Sequence, residues 1–355
     1  MSDEMHTILI DQASRLFADH TGKAMIDEVE KGAWPEGLWH EMEAAGLTRA
    51  AVAEAHDGAG AEFGDAMALV RLAGRYAAPV PLPETLIAGW LLSRGGGAPP
   101  TGPISFATAI ETQPLSLTRT GSNWSASGTL YNVPWGRRAD TIVAAAADNR
   151  SRHLVVIPKT VITVENGANI AGEPRDTIVL DKALLTDSAV RPMPNDLGED
   201  ALLNLGALSR AALIAGALEH VLEMSVSYAL ERQQFGRPIA KFQAIQQELA
   251  VLAGEAAAAG AAADAAVEAA ERDSGAFQIA AAKIRSGEAA SQGATIAHQV
   301  HGAMGFTYEH PLHQLTRRLW AWRDEFGTDA DWALRLGTMA MREGGDGLWP
   351  LITAS

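Results

Sequence analysis

The sequence predicts an α+β protein that is mostly α-helical, and three observations lead to this fold class. Two long stretches with helical spacing of apolar residues flank one stretch of short segments rich in Ile, Val, Thr and Leu. A linker rich in Gly and Pro, residues 94–103, precedes the short segments. We therefore expect an N-terminal helical domain at 1–100, a central β domain at 101–195 and a C-terminal helical bundle at 196–355.

The N-terminal part is predicted to be helical because its apolar residues fall on helix faces. Such residues occur within 8–17 and again within 38–47. The proline-rich run 78–83 must interrupt any helix, since proline lacks the backbone N–H and clashes with the preceding turn. A further helix is expected over 84–92.

The central part is predicted to consist of strands and turns. Five apolar runs are bounded by Gly, Asn, Asp or Pro, namely 104–107, 115–117, 141–144, 154–157 and 177–180. No helical pattern separates these runs, so we expect an antiparallel sheet.

The C-terminal part is predicted to form a bundle. Residues 202–230 have the pattern of one long helix, and the spacing of Phe242, Ile245, Leu249 and Leu252 marks one face of the next. Residues 256–270 are almost all alanine and are expected to form the helix after it. Their small side chains allow helices to approach closely, which favours tight packing.

Composition excludes several classes of protein. The net charge is −15, which disfavours nucleic acid and anionic membranes as partners. There is no cysteine, so disulfides, thiolate metal sites and cysteine nucleophiles are excluded. No uninterrupted apolar run reaches the roughly 18 residues of a spanning helix, and the N-terminus lacks the pattern of a secretory signal. We expect a cytoplasmic protein that is not integral to a membrane.

Two motifs then carry a family resemblance. They are YALERQQFGRPIAKFQAIQ at 228–246 and QVHGAMGFT at 299–307. Both resemble the acyl-CoA dehydrogenase family closely, and the segment 121–129 with Ala139 and Asp140 resembles the β domain of that family. The resemblance covers nearly the whole chain. It implies an α-helical domain, a β-barrel-like domain and a C-terminal four-helix bundle.

The same resemblance implies a function. Family members use FAD to introduce a Cα–Cβ double bond into an acyl-CoA thioester, and they assemble as tetramers with FAD across a subunit interface. Arg232 and Phe235 match residues that contact FAD from the neighbouring subunit. A guanidinium can bind pyrophosphate oxygens through two hydrogen bonds, and a phenyl ring can pack on a flat cofactor ring.

Four further positions match the cofactor-binding motifs. Gly236 follows Phe235 and lets the backbone approach a ligand. Gln299, Gly302 and Gly305 match positions that contact the ADP portion of FAD. Ala303 stands where the family has a second glycine, and its methyl group could crowd the cofactor.

The catalytic carboxylate of the family is missing at both places where it occurs. In most members it precedes a late Gly-Thr pair, and here Phe326 precedes Gly327 and Thr328. In other members it precedes an arginine of the long helix, and here Ser209 precedes Arg210. Arg210 itself is carried over as a substrate-binding residue.

Glu325 is the nearest candidate for the base that must remove the α-proton of the thioester. On a helix, one residue corresponds to a rotation of about 100°, so Glu325 is expected to point away from the position before Gly327. No residue is therefore assigned as catalytic base, with Glu325 kept as the weak candidate.

A third departure lies in the β domain. The usual Thr-Glu-Pro-x-x-Gly-Ser segment, which meets flavin and substrate in the family, is replaced by TAIETQP at 108–114. The chain thus lacks the catalytic carboxylate and the usual substrate-contacting segment but retains the cofactor motifs. This combination predicts a chain that completes the flavin site of a partner subunit. The stretch RRLWAWRDEFG at 317–327 resembles the base-lacking subunit type of bacterial heteromeric acyl-CoA dehydrogenases of steroid side-chain degradation.

Two alternatives remain open. The chain could be a self-sufficient acyl-CoA dehydrogenase whose base is Glu325 or Asp324, or a non-catalytic acyl-CoA-binding or scaffold protein. Metal binding is not expected, because the pairs His298 with His301 and His310 with His313 have a suitable spacing but no clear third ligand.

Overall fold

The computed structural model describes residues 3–108, 115–148, 151–193, 200–272 and 275–353. The chain forms two compact units. The first consists of Met1–Val70 and Pro79–Gly206, and the second of Arg71–Ala78 and Ala207–Ser355. The further division at residues 100 and 195 stays a prediction.

The N-terminal residues form helices, as the sequence predicts. These are α1 (Asp3–His20), α2 (Lys23–Glu30), α3 (Glu36–Ala44), α4 (Phe63–Arg75) and α5 (Leu82–Arg94). Phe17, Leu38 and Met42 are buried on the predicted faces. Helix α5 begins directly after Pro81, with Pro83 in its first turn, where a missing backbone N–H leaves no helical hydrogen bond unmade.

A mixed eight-stranded sheet follows the first helices. Its strands are β1 (Ile104–Ala107), β2 (Leu115–Thr120), β3 (Asn123–Pro134), β4 (Thr141–Ala147), β5 (Arg152–Pro158), β6 (Thr163–Glu165), β7 (Arg175–Leu185) and β8 (Val190–Pro192). The order is β6-β7-β3-β2-β4-β5-β8, with β1 also paired to β4. All five predicted runs lie in strands, while β3, β6 and β8 lie outside those runs.

The prediction of an antiparallel sheet is wrong for two strand pairs. β1 runs parallel to the first half of β4, with Ile104 opposite Thr141. β2 runs parallel to the end of β4, with Leu115 opposite Ala146. Strand β3 turns back beside β2, and β4 turns back again on the other side of β2, so that β2 and β4 share a direction. The other strand pairs of this sheet are antiparallel.

The second unit consists mainly of helices, and a small hairpin joins two of them. The helices are α6 (Ala201–Glu231), which begins in the first unit, α7 (Gln243–Arg272), α8 (Ala276–His301), α9 (Leu312–Asp324) and α10 (Asp329–Thr353). The hairpin is β9 (Gln233–Gln234) with β10 (Arg237–Pro238). The expected separate helix over 256–270 is wrong, because α7 continues through residues 253–255, which include no proline.

Helices α6 and α7 are long and apolar enough to cross a membrane, judged by length and composition alone. The most apolar window of α6 is completely buried in the protein, and that of α7 is one third buried. A core helix of a folded protein has the same length and composition, and the burial of α6 is that of a core helix.

A close backbone contact joins the end of α4 to α6 within the second unit. A Cβ atom added to Gly216 would lie 1.9 Å from the carbonyl oxygen of Arg71, and one added to Gly74 would lie 2.1 Å from that of Leu213. No side chain fits between the two backbones at these positions. The Arg71 guanidinium then forms ion pairs with Glu219 of α6 and Asp264 of α7.

We expect Gly216→Ala to destabilise the protein, because the added methyl group collides with backbone that cannot move aside. Overpacking of this kind costs about 1–3 kcal/mol. Gly254→Ala on α7 is the control, since a Cβ there meets nothing within 4 Å and alanine is the better helix former by about 1 kcal/mol. Urea unfolding of both variants checks this, and equal stabilities would contradict the packing argument.

Candidate functional site

The structure brings together the two positions at which the family keeps its carboxylate. Ser209 and Arg210 lie on α6, and both are buried. Phe326 lies in the connection between α9 and α10, and the Arg210 guanidinium stands 4.8 Å from the centre of its ring. A carboxylate at either position would therefore lie in the same region of the second unit.

Glu325 is engaged by Arg210. Helix α9 ends at Asp324 and Glu325 is extended, so the premise that Glu325 lies on a helix is wrong. Its carboxylate accepts a hydrogen bond of 2.6 Å from Nε of Arg210, a residue that is only 1% exposed. A buried guanidinium requires a counter-charge, and Glu325 provides it. Asp324, the other candidate base, pairs with Arg323 instead.

The connection that holds Phe326 is fixed from several sides. Phe326 has a φ of 54°, which is strained for a residue with a bulky side chain. The indole N–H of Trp332 donates to the carbonyl of Phe326 at 2.9 Å. Lys283 donates to the carbonyl of Gly327 at 2.8 Å and to that of Arg323. Strained conformations of this kind persist where the surroundings hold them, and they concentrate at functional sites.

Lys283 is a residue that the sequence analysis missed. It is fully buried on α8, and burial lowers the pKa of its amine to about 8. The available signal was one lysine within an otherwise apolar helical run at 279–284. Charged lysine is almost never fully buried without partners, so the pattern indicates a specific hydrogen-bonding role.

Arg232, Phe235 and Gly236 occupy one exposed hairpin. Phe235 and Gly236 form its two-residue tip, and both have positive φ values, 52° and 76°. This backbone matches the tight turns that favour Asn-Gly, so phenylalanine is strained there. Phe235 is nevertheless 92% exposed. An aromatic ring held in a strained turn and left in solvent is placed to contact something outside the chain.

The Arg232 side chain is exposed at the base of this hairpin. Within the parts of the chain that the structure describes, its guanidinium makes no hydrogen bond or ion pair. Its backbone is fixed, because its N–H donates to the carbonyl of Tyr228 and its carbonyl accepts from Ile239, both at 2.8 Å. A fixed backbone with a free guanidinium fits the binding of an external anion.

Gln299 and Gly302 lie together at the end of α8. Gln299 is exposed in the last turn of the helix, and Gly302 ends it with φ 57° and ψ −140°, a conformation that essentially only glycine adopts. A Cβ on Gly302 would meet nothing, so close approach from outside is open there. The neighbouring Ala303 is exposed as well.

Gly305 has a packing reason to be glycine. A Cβ there would lie 3.0–3.1 Å from atoms of His301, His298 and Leu312. Its role as a cofactor residue stays a prediction, and so does the role of Arg210 as a substrate-binding residue. The substrate-side difference at 109–114 lies outside the described residues.

Histidines and aromatic rings connect these two motifs. His298 stacks between Phe306, at 4.3 Å, and Trp320, at 5.8 Å. The His301 ring stacks on Tyr228 at 4.5 Å, close to Arg232. No group of three side chains suited to a metal ion occurs within the described ranges.

The residues of the two motifs are suited to binding the ADP half of FAD. The residues at the position of the base are not suited to removing a proton from the substrate. Arg232, Gln299 and Gly302 offer a free guanidinium, an exposed amide and an open backbone. The position of the base holds a phenyl ring and a carboxylate already paired with a buried arginine.

Comparison with known proteins defines the family. Models of the acyl-CoA dehydrogenase N-terminal and C-terminal domains match residues 3–97 and 200–330. Together they match more than half of the chain, which belongs to the acyl-CoA dehydrogenase family. The enzymes of this family are FAD-dependent oxidoreductases.

Individual relatives agree with this assignment. Acyl-CoA dehydrogenase IpdE2 of Mycobacterium tuberculosis is 28% identical over 323 residues, which is 89% of this chain and 91% of the relative. The ChsE4-ChsE5 complex from Mycobacterium tuberculosis has the same fold, with a TM-score of 0.84 at 22% identity over 96% of this chain and 98% of that one. A variant of the Tcur3481-Tcur3483 steroid ACAD, an abbreviation for acyl-CoA dehydrogenase, is also similar in structure. Its TM-score is 0.86, at 25% identity over 96% of this chain and 98% of that one.

We expect acid to destabilise this unit because its buried histidines are neutral. Burial lowers the pKa of His301 from 6.5 to about 4, and it lowers the pKa values of His298 and His310. As the pH falls, these histidines become protonated in the unfolded chain at a higher pH than in the folded protein. Stability is therefore lost as the pH falls from about 6.5 towards 4, at about 1.4 kcal/mol for each unit of pKa depression.

Urea midpoints at pH 7 and pH 5 check this prediction. His301→Phe removes one of the titrating groups and should lose less stability between the two pH values. Equal losses in the variant and the unaltered protein would contradict it.

Proposed function

We propose that the chain is a subunit of an FAD-dependent acyl-CoA dehydrogenase and that it completes the flavin site of a partner subunit that carries the catalytic Glu. The assembly introduces a Cα–Cβ double bond into an acyl-CoA thioester. FAD, when bound, accepts the hydride that leaves Cβ. This chain contributes Arg232, Phe235, Gly236, Gln299, Gly302 and Gly305 to holding FAD, the last three of them at its ADP portion.

The observation that carries the proposal is a contrast within the second unit. The hairpin bearing Arg232 and Phe235 is exposed, and within its own chain the Phe235 ring meets the Phe242 ring edge-on at 6.1 Å. The position of the base is closed by the Arg210–Glu325 ion pair and the Phe326 ring. A homodimer of such chains would have cofactor contacts without a base, whereas a partner with a free carboxylate supplies what is missing.

Relatives support a heteromeric assembly. The ChsE4-ChsE5 and Tcur3481-Tcur3483 structures each join two different chains, and the second is described as a steroid enzyme. We therefore infer a homologous acyl-CoA dehydrogenase subunit as partner and lipid or steroid catabolism as context. A cytoplasmic location belongs to the same proposal, as do the three domains at 1–100, 101–195 and 196–355.

A self-sufficient enzyme is the second candidate, because Glu325 lies beside the position of the base. For Glu325 to act as base, its carboxylate would have to give up its 2.6 Å contact with the buried Arg210, and breaking a buried ion pair costs about 3–5 kcal/mol. A scaffold that has lost FAD is the third candidate. Flavin counted per chain, with and without the co-purifying partner, separates the three.

We expect Arg232→Ala to lower the flavin content of the assembly, since a charge-assisted contact to the pyrophosphate is lost. Such contacts contribute about 1.5–3 kcal/mol, or roughly 10- to 150-fold in affinity. Arg272→Ala, at an exposed position on α7, is the control for the loss of one positive charge. Unchanged flavin occupancy with Arg232→Ala would show that this motif does not bind the cofactor here.

We expect Glu325→Gln to leave the turnover of an active assembly nearly unchanged, while lowering stability through the loss of the Arg210 counter-charge. A true general base contributes about 10²–10⁴-fold to the rate. Steady-state turnover with flavin still bound is the measurement. A loss of about 100-fold or more would refute the partner-subunit proposal and favour the self-sufficient enzyme.

A further inference from the structure

Three rings from three segments meet in the second unit. Tyr228 lies near the end of α6, His301 ends α8, and His310 precedes α9. The centre of the His301 ring lies 4.5 Å from that of Tyr228 and 4.7 Å from that of His310, and Tyr228 meets His310 edge-on at 6.1 Å. Each ring contacts the other two, so the three form a closed set that we call the ring cluster.

His301 is the best fixed member of the ring cluster. It is 2% exposed, and its Nδ1–H donates to the carbonyl of Ala297 at 2.8 Å, which sets both the tautomer and the orientation of the ring. Burial keeps the imidazole neutral at physiological pH. A neutral ring can stack face to face on Tyr228, with an interplanar angle of 27°, without burying a charge.

Each cofactor motif contains a member of this cluster, Tyr228 in the first and His301 in the second. Along α6, the carbonyl of Tyr228 accepts the N–H of Arg232, and the carbonyl of Arg232 accepts the N–H of Ile239 where the hairpin closes. Along α8, Gln299 lies two residues before His301, and Gly302 follows directly. A shift of the His301 ring would therefore move the guanidinium and the amide relative to each other. Binding groups work only when held within about 0.5 Å of their productive geometry.

We propose that the ring cluster is the positioning element of the cofactor site, with His301 as the residue that holds the Arg232 hairpin and the end of α8 at one fixed separation. This inference rests on the proposed function only for its consequence, the binding of FAD. The positioning itself can be measured on the chain alone. His301 touches no cofactor in this proposal and acts through Arg232 and Gln299.

Amide hydrogen exchange of the purified chain tests the positioning. His301→Ala should speed exchange by about tenfold or more at two amides: that of Arg232, which donates to Tyr228 of α6, and that of Ile239, which closes the hairpin. His301→Phe keeps a flat ring against Tyr228 and should restore most of the protection. His298→Ala is the matched control, because it removes a buried ring one turn earlier that stacks on Phe306 and Trp320 instead. Unchanged exchange with His301→Ala, or equal effects of both alanine variants, would overturn the proposal.

Flavin affinity of the assembly gives a second readout that a general loss of stability would not produce. His301→Ala should weaken FAD binding by about tenfold, and the double variant with Arg232→Ala should lose clearly less than the sum of the two single losses, since His301 acts in part through Arg232. Additive losses would overturn the positioning role. If Arg232→Ala leaves flavin binding unchanged, the proposed function fails, while the exchange measurement still decides on the ring cluster.

Discussion

The ion pair between Arg210 and Glu325 determines the arrangement of the second unit around it. A guanidinium that is 1% exposed must have a counter-charge, and the Glu325 carboxylate reaches it at 2.6 Å. The pair draws the connection after α9 onto α6, and Phe326 then adopts its strained backbone with its ring against Arg210. Lys283 and Trp332 fix the carbonyls of that connection. At the position where the family has its base, the backbone is therefore held by hydrogen bonds, and the nearest carboxylate is paired with a buried arginine.

Much of the fold followed from local sequence patterns. Runs rich in Ile, Val, Thr and Leu marked five strands, and apolar spacing marked the long helices, because both signals lie within short windows. The parallel pairing of β1 and β2 with β4 could not be derived, since it depends on which edges meet after two reversals of the chain. The position of Glu325 was misjudged for a related reason: an ion pair with Arg210, 115 residues away, sets where it lies.

The sequence motifs predicted the residues of the candidate site, but they did not predict what each residue contacts. The motifs supplied Arg232, Phe235 and Gln299, and the structure leaves all three exposed. The motif assigned Gly302 and Gly305 the same role. In the structure, position 302 requires glycine because of its backbone conformation, and position 305 requires glycine because neighbouring atoms leave little room for a Cβ. The spacing of His298 and His301 is suitable for a metal ion. In the structure, the ring of His298 stacks on Phe306 and the ring of His301 stacks on Tyr228. Spacing along a helix does not reveal what lies across from it.

Strands β1 and β2 share one partner strand. Each has its own register on β4: Ile104 to Ala107 lie against its first half, and Leu115 with Ser116 lie against its end. A slip of one residue in either register would turn the side chains of that strand to the opposite face of the sheet. Both registers depend on the same seven residues of β4, so a substitution that displaces β4 would disturb β1 and β2 together.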